Sequence, residues 1–135
     1  MEGIQIPYKM LSLDSFSQWL GIEILACEVG RCKVGLKIRA EMLNSMGKAH
    51  GGISYSLADT AFGFAANSNG RFAVSIESSI NHIEALEEND YITAEATIES
   101  LKNSVGFYIV EVKKGDLLVA LFKGVAYRTG KEWEE

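Results

Sequence analysis

The sequence predicts an α+β fold in which one face of an antiparallel sheet of five to six strands covers a single long helix, with a shorter helix near the N-terminus. Three observations carry that prediction. From Gly51 to Asn67 the apolar residues Ile53, Leu57, Ala58, Ala61, Phe62, Phe64, Ala65 and Ala66 occur nearly all the way round a helix, and such a helix is buried rather than laid on a surface. The remaining long segments read as strands. The strands that follow the long helix are separated only by short polar turns, as in successive antiparallel pairs.

Leu11 to Leu20 reads as the short helix: Ser12 or Asp14 serves as a cap, Phe16, Trp19 and Leu20 recur at helical spacing, and Gly21 stops it. Two strands follow, Ile22 to Val29 and Arg31 to Arg39. In the second, Cys32, Val34, Leu36 and Ile38 alternate with polar residues or glycine, and Gly30 stands where a hairpin turns. After the long helix, Asn67, Asn69 and Gly70 supply the stop. Four strands then run Phe72 to Ile83, Tyr91 to Ser100, Val105 to Lys113 and Leu117 to Arg128. In the last of these both faces are apolar: Leu117, Val119, Leu121 and Val125 on one, Leu118, Ala120, Phe122 and Ala126 on the other. One face covers the helix, and the other is expected to be closed in part by another subunit, because an antiparallel sheet in a monomer usually leaves one face polar. Residues 1–10 and 130–135 are expected to be loose ends.

The length, 135 residues, suits one domain, and 47% hydrophobic with 23% charged residues is a globular balance, not that of a disordered chain. With a formal charge of −5 and no basic patch interleaved with aromatics, no nucleic-acid partner is expected. Met1 to Met10 lacks the apolar run of a secretory signal and no stretch reads as a membrane span, so the expected location is cytoplasmic, with no membrane partner. Cys27 and Cys32 are too few for a disulfide framework or a zinc site and are expected to be reduced packing residues. No metal site is expected.

Asp59 is the only acidic or basic side chain between Ala49 and Gly70, set among Leu57, Ala58, Ala61 and Phe62. A buried charge must be paired, hydrogen-bonded or retained for a purpose. It either caps a turn or faces a solvent groove, or it does chemistry. Upstream, Asn44-Ser45-Met46-Gly47-Lys48-Ala49-His50-Gly51-Gly52 ends where the long helix begins. Paired glycines let a ligand approach the backbone, and free amides at a helix N-terminus favour an oxygen that gains negative charge. That is the chemistry of an oxyanion hole.

Asn44, His50-Gly51-Gly52 and Leu57-Ala58-Asp59, at these spacings, resemble the motif of hotdog-fold thioesterases of the phenylacetate-degradation (PaaI-like) group, in which a long helix is wrapped by an antiparallel sheet. Val119-Ala120-Leu121-Phe122-Lys123-Gly124 is similar to the final strand of that group, and the likeness runs from about Trp19 to Gly130. The resemblance implies hydrolysis of acyl-CoA thioesters with medium-chain or aryl-acetyl groups, without a cofactor other than the CoA of the substrate. By position it implies that Asp59 activates water or attacks the thioester, that Gly51 donates its N–H to the carbonyl, that His50 supports that end of the site, and that Asn44 places substrate or water. Ser75 falls where the group carries a Ser or Thr beside the acid, or is an ordinary strand hydroxyl. Gly52, Tyr55 and Phe62 are candidates for substrate contact, and Arg71 and Lys123 for the CoA phosphates. Ile80-Asn81-His82-Ile83-Glu84-Ala85 lacks the Arg-Pro of many relatives, which leaves those phosphate contacts open, and His82 reads as a strand residue.

Helix geometry adds an expectation of its own. Eight residues at about 1.5 Å rise put Asp59 roughly 12 Å along the axis from Gly51, whereas a reacting carbon must lie about 3 Å from its attacking atom and close to the oxyanion donors. One helix cannot supply both. The expected minimal unit is therefore a homodimer with two equivalent sites, and the resemblance implies a homotetramer. The competing readings are a CoA hydratase or dehydratase on the same fold and a non-catalytic acyl-CoA-binding module.

Overall fold

The computed structural model describes residues 5–133. The chain forms α1 (Ile6–Leu13), α2 (Ser15–Leu20), β1 (Glu23–Glu28), β2 (Arg31–Lys37), a short 3-10 turn at Ala40–Met42, α3 (Gly51–Asn67), β3 (Arg71–His82), β4 (Tyr91–Lys102), β5 (Val105–Lys114) and β6 (Leu117–Glu132). The six strands make one antiparallel sheet in the order β1-β2-β4-β5-β6-β3, with α3 packed across its inner face. This is the hotdog arrangement.

Burial follows the alternation in the strands. Val34, Leu36, Ile92, Ala94, Ala96, Val110, Val112, Ala120 and Phe122 are fully buried on the inner face, against Leu57, Ala58, Ala61, Phe62, Phe64 and Ala65 of α3. Each fully buried Leu or Phe contributes about 1.5–3 kcal/mol relative to exposure, so this interface dominates the stability of the chain. Helix and sheet come close at Gly124 of β6, where a Cβ would lie 2.8 Å from the Phe62 ring; only glycine leaves that ring its place. The other face of β6 is apolar but open, with Leu121 and Val125 half-buried and Tyr127 exposed.

The N-terminal region differs from expectation. In place of one helix from Leu11 there are two, and the junction is Asp14, whose carboxylate accepts from the Ser17 N–H at 3.0 Å and the Ser17 hydroxyl at 2.6 Å. Asp14 caps the second helix, as its side chain allows. The first begins with Pro7 in its opening turn, where a missing N–H costs nothing. Residues 6–10 are therefore helical and not loose; residues 1–4 lie outside those described.

The C-terminal expectation is corrected in the same way. β6 continues to Glu132, which pairs with Arg71, and Trp133 stacks on Phe72 with ring centroids 4.2 Å apart. Residues 130–133 are thus held against β3, while 134–135 lie outside the described residues. The expectation of two reduced cysteines is also overturned. Gly30 turns the β1–β2 hairpin with φ of 81°, the register sets Cys27 opposite Cys32, and the two sulfurs are joined as a disulfide. Cross-strand neighbours are close enough to bond, which composition alone did not show.

Candidate active site

The segment leading into α3 is shaped by its own side chains. Asn44 Oδ1 accepts from the Met46 and Lys48 amides at 2.9 and 3.1 Å, closing a tight loop. Leu43 and Ala49 then bridge across it, and the His50 N–H donates to the Met42 carbonyl at 2.8 Å. The oxygen of Asn44 is thus spent on the loop, while its NH2 group makes no hydrogen bond among the described residues.

His50 is the N-cap of α3. Its Nδ1 accepts from the Gly52 N–H at 2.9 Å, which satisfies one of the amides that a helix start leaves without an acceptor. An accepting Nδ1 puts the proton of the neutral ring on Nε2. The Gly51 N–H has no hydrogen-bond acceptor among the described residues. His50 therefore orders the turn so that the amide beside it stays available.

Gly51 borders a groove of about 350 Å³ that is also lined by Asn44, Lys48, Ser54, His82 and Glu84. A Cβ at Gly51 would lie 3.2 Å from His82 Nε2, so the imidazole rests directly over the start of the helix. His82 is a strand residue, as the sequence suggests, but it is the last of β3, and the sequence does not show that this end of the strand meets the start of α3. His50 and Gly52 face a neighbouring depression together with Phe16, Trp19 and Ser56. Lys48, the one lysine or arginine among the described residues that line the groove, is paired with Glu87 at 2.6 Å.

Asp59 lies two turns further along α3, half-buried and without a hydrogen bond or ion pair among the described residues. Burial raises its pKa above the ordinary aspartate value, with no opposing charge to lower it. It does not line the Gly51 groove of its own chain. Around it α3 is small and open: Ser56 and Gly63 flank it, and a Cβ at Gly63 would meet nothing within 4 Å. One turn before Asp59, the Tyr55 hydroxyl contacts the Ser78 hydroxyl of β3.

The other predicted residues scatter. Ser75 is exposed on β3 opposite Ala126, beside a bulge. Phe62 is 1% exposed and packs in the core against Tyr108 and Phe122. Lys123 is exposed on the outer face of the sheet, since its neighbour Phe122 points inward. Arg71 opens β3 beside the C-terminal end of α3, away from Gly51. Among the described residues no cluster of His, Cys, Asp and Glu could hold a metal ion.

The chain that carries this helix matches a known family. The model of the thioesterase superfamily matches residues 46–120, more than half of the chain. The acyl-coenzyme A thioesterase PaaI of Escherichia coli is 35% identical over 127 residues, 93% of this chain and 91% of its own length. The solved structure of that PaaI protein superposes with a TM-score of 0.93 at 34% identity, covering 96% of this chain and 95% of that one. A Streptococcus mutans protein solved bound to acetyl CoA matches with a TM-score of 0.79 at 26% identity, covering 83% of this chain and 91% of its own. The chain belongs to the thioesterase superfamily and is a thioester hydrolase. Within that family it falls in the PaaI-like group of hotdog thioesterases.

Proposed function

We propose that the chain hydrolyses acyl-CoA thioesters, with an aryl-acetyl or medium-chain acyl group, at a site shared by two subunits: Asp59 of one protomer faces Gly51 of the other. The observation that carries this is Asp59 itself, a half-buried carboxylate without a partner among the described residues. Such a group costs stability unless it serves a purpose. Its pKa, raised by burial, favours proton abstraction from water more than an ordinary surface aspartate would.

These two groups frame the reaction. The carbonyl oxygen of the thioester accepts from the free Gly51 N–H, which stabilises the negative charge that develops there. Asp59 takes a proton from water as the water attacks the carbonyl carbon, or attacks that carbon itself and is released by water in a second step. The C–S bond then breaks, giving the free acid and the CoA thiol. Within one helix the two groups stand about 12 Å apart, too far to act on one carbon. The hydratase reading fits less well, since His50 Nδ1 is occupied by the Gly52 amide and the ring stands on the far side of the turn from the groove.

Edge strand β3 supports a two-fold partner. It is twelve residues long, its outer edge is unpaired, and Phe72, Val74 and Ile76 are 36, 48 and 59% exposed. A long apolar edge is a template for another strand. The half-exposed outer face around Leu121, Val125 and Tyr127 supports a further pairing of dimers into a tetramer. The acyl assignment draws on the PaaI protein of the phenylacetic acid degradation operon, to which the chain is similar over nearly its whole length.

Thiol release from a panel of acyl-CoAs tests the activity and the role of Asp59 together, and mixing subunits tests the shared site. Gly51→Pro removes the amide, and His50, at φ −61° and ψ 138°, already has the backbone that a following proline requires. Asp59→Asn and Gly51→Pro are each expected to be nearly inactive alone. Unfolded and refolded together, they are expected to recover about a quarter of wild-type activity, because half of the dimers are mixed and each mixed dimer has one intact site. No recovery in confirmed mixed dimers would rule out a shared site.

A further inference from the structure

The groove over Gly51 holds one polar side chain that the reaction above does not use. His82 is the last residue of β3, opposite Ala120, and the chain beyond it is pinned because the Ile83 and Glu84 amides both donate to the Val119 carbonyl, at 2.8 and 3.1 Å. Its imidazole makes no hydrogen bond or ion pair among the described residues, and a Cβ at Gly51 would lie 3.2 Å from Nε2 and 3.4 Å from Cε1. The ring edge therefore borders the groove right beside the unpaired Gly51 amide. An oxygen accepting from that amide lies about 2.9 Å from its nitrogen, and Gly51 and His82 line the same groove.

Resting on the proposed function, we propose that His82 is a catalytic residue: its Nε2–H donates the second hydrogen bond to the thioester carbonyl oxygen held by the Gly51 N–H. One amide is a sparse oxyanion hole, and a second preorganised donor strengthens where the negative charge grows. His50 cannot take this part. Its Nδ1 is held by the Gly52 amide and its ring borders the neighbouring depression. Ser54 lines the same groove but is 4% exposed and sits a turn deeper along α3. The absence of a side chain at Gly51 acquires a second reason here, since a methyl group would push the imidazole away from the amide it works beside.

The test uses the full chain and an acyl-CoA that the wild type hydrolyses. His82→Phe keeps a flat ring without a donor and is expected to lower kcat about a hundredfold while KM changes little. His82→Gln, whose amide reaches the same place, is expected to restore most of that loss. Gly51→Ala retains the backbone N–H but displaces the ring, so it should lower kcat in the wild type and do little more in a His82→Ala background. Wild-type kcat in His82→Phe, or a loss confined to KM, overturns the assignment of His82 alone. A wild type that releases thiol from no acyl-CoA overturns the proposed function and this inference with it.

Discussion

Asn67 and Asp59 sit eight residues apart on α3, and the chain treats them in opposite ways. Asn67, 3% exposed, uses all of its hydrogen-bonding capacity. Its NH2 group donates to the Gly63 and Ala73 carbonyls at 2.8 and 3.2 Å, and its oxygen accepts from the Ala73 amide at 2.8 Å and Trp133 Nε1 at 2.9 Å. Asp59 uses none. A satisfied buried amide ties α3, the start of β3 and the end of β6 together, and so belongs to the fold. An unsatisfied carboxylate does nothing for the fold of its own chain, which is why it draws attention as a site of chemistry.

Exchanging the two roles is the sharpest way to break this contrast. Asp59→Asn is nearly isosteric and removes only the charge. It is expected to lower kcat on acyl-CoA by about 10²–10⁴-fold, the usual contribution of a positioned acid or base, with the same fold by circular dichroism. Near wild-type turnover in that variant would make Asp59 a passenger. Asn67→Ala should show the reverse pattern. It strands the half-buried Ala73 amide and Trp133 indole, costing about 1–3 kcal/mol in all, read as a lower denaturant midpoint. Activity per folded molecule should hardly change. A third variant separates packing from both. Gly124→Ala drives a methyl into the Phe62 ring, 2.8 Å away, and is expected to cost about 1–3 kcal/mol by overpacking, again by denaturant midpoint and without a specific loss of kcat.

How much of this was legible in the sequence differs between the two residues for a physical reason. The α3 boundaries, Gly51 and Asn67, could be read directly, since apolar residues all round a helix and a stop of Asn and Gly are local signals. The strands themselves and the antiparallel pairs β1–β2, β4–β5 and β5–β6 were also local, set by alternation and short turns, but β3, expected beside β4, pairs with β6 instead, and β2 pairs with β4, which no turn length shows. Asp59 stood out because a lone charge in an apolar helix is visible in one dimension. The partners of Asn67 were not visible: Trp133 is 66 positions away, and the sequence suggested that its tail was loose. His82 escaped for the same reason, being 31 residues from Gly51, and Cys27 with Cys32 because only strand register sets them face to face. Helix α1 was missed because Pro7 near its start reads as a break unless it is seen to occupy the first turn.

The smallest expected effect is also the one whose sign is most telling. Burial raises the Asp59 pKa in the folded chain above its unfolded value, so the unfolded chain releases this proton more readily and folding is opposed once the pH passes the unfolded pKa. Whatever stability the protonated form confers is fully present below the unfolded pKa and lost as the pH rises through the folded one. Asp59→Asn should therefore melt slightly above the wild type at neutral pH. The advantage should shrink to nothing as the pH falls below the ordinary aspartate range. Asn67 carries no titrating group, so the Asn67→Ala deficit should be free of this pH dependence. The same raised pKa sets the acid limb of kcat above the value of an exposed aspartate, because the ionised form is the one that acts. An Asp59→Asn variant that melts below the wild type at neutral pH, by a margin that closes toward low pH, would show that Asp59 is held by a favourable partner in the folded assembly, and the contrast with Asn67 would fail.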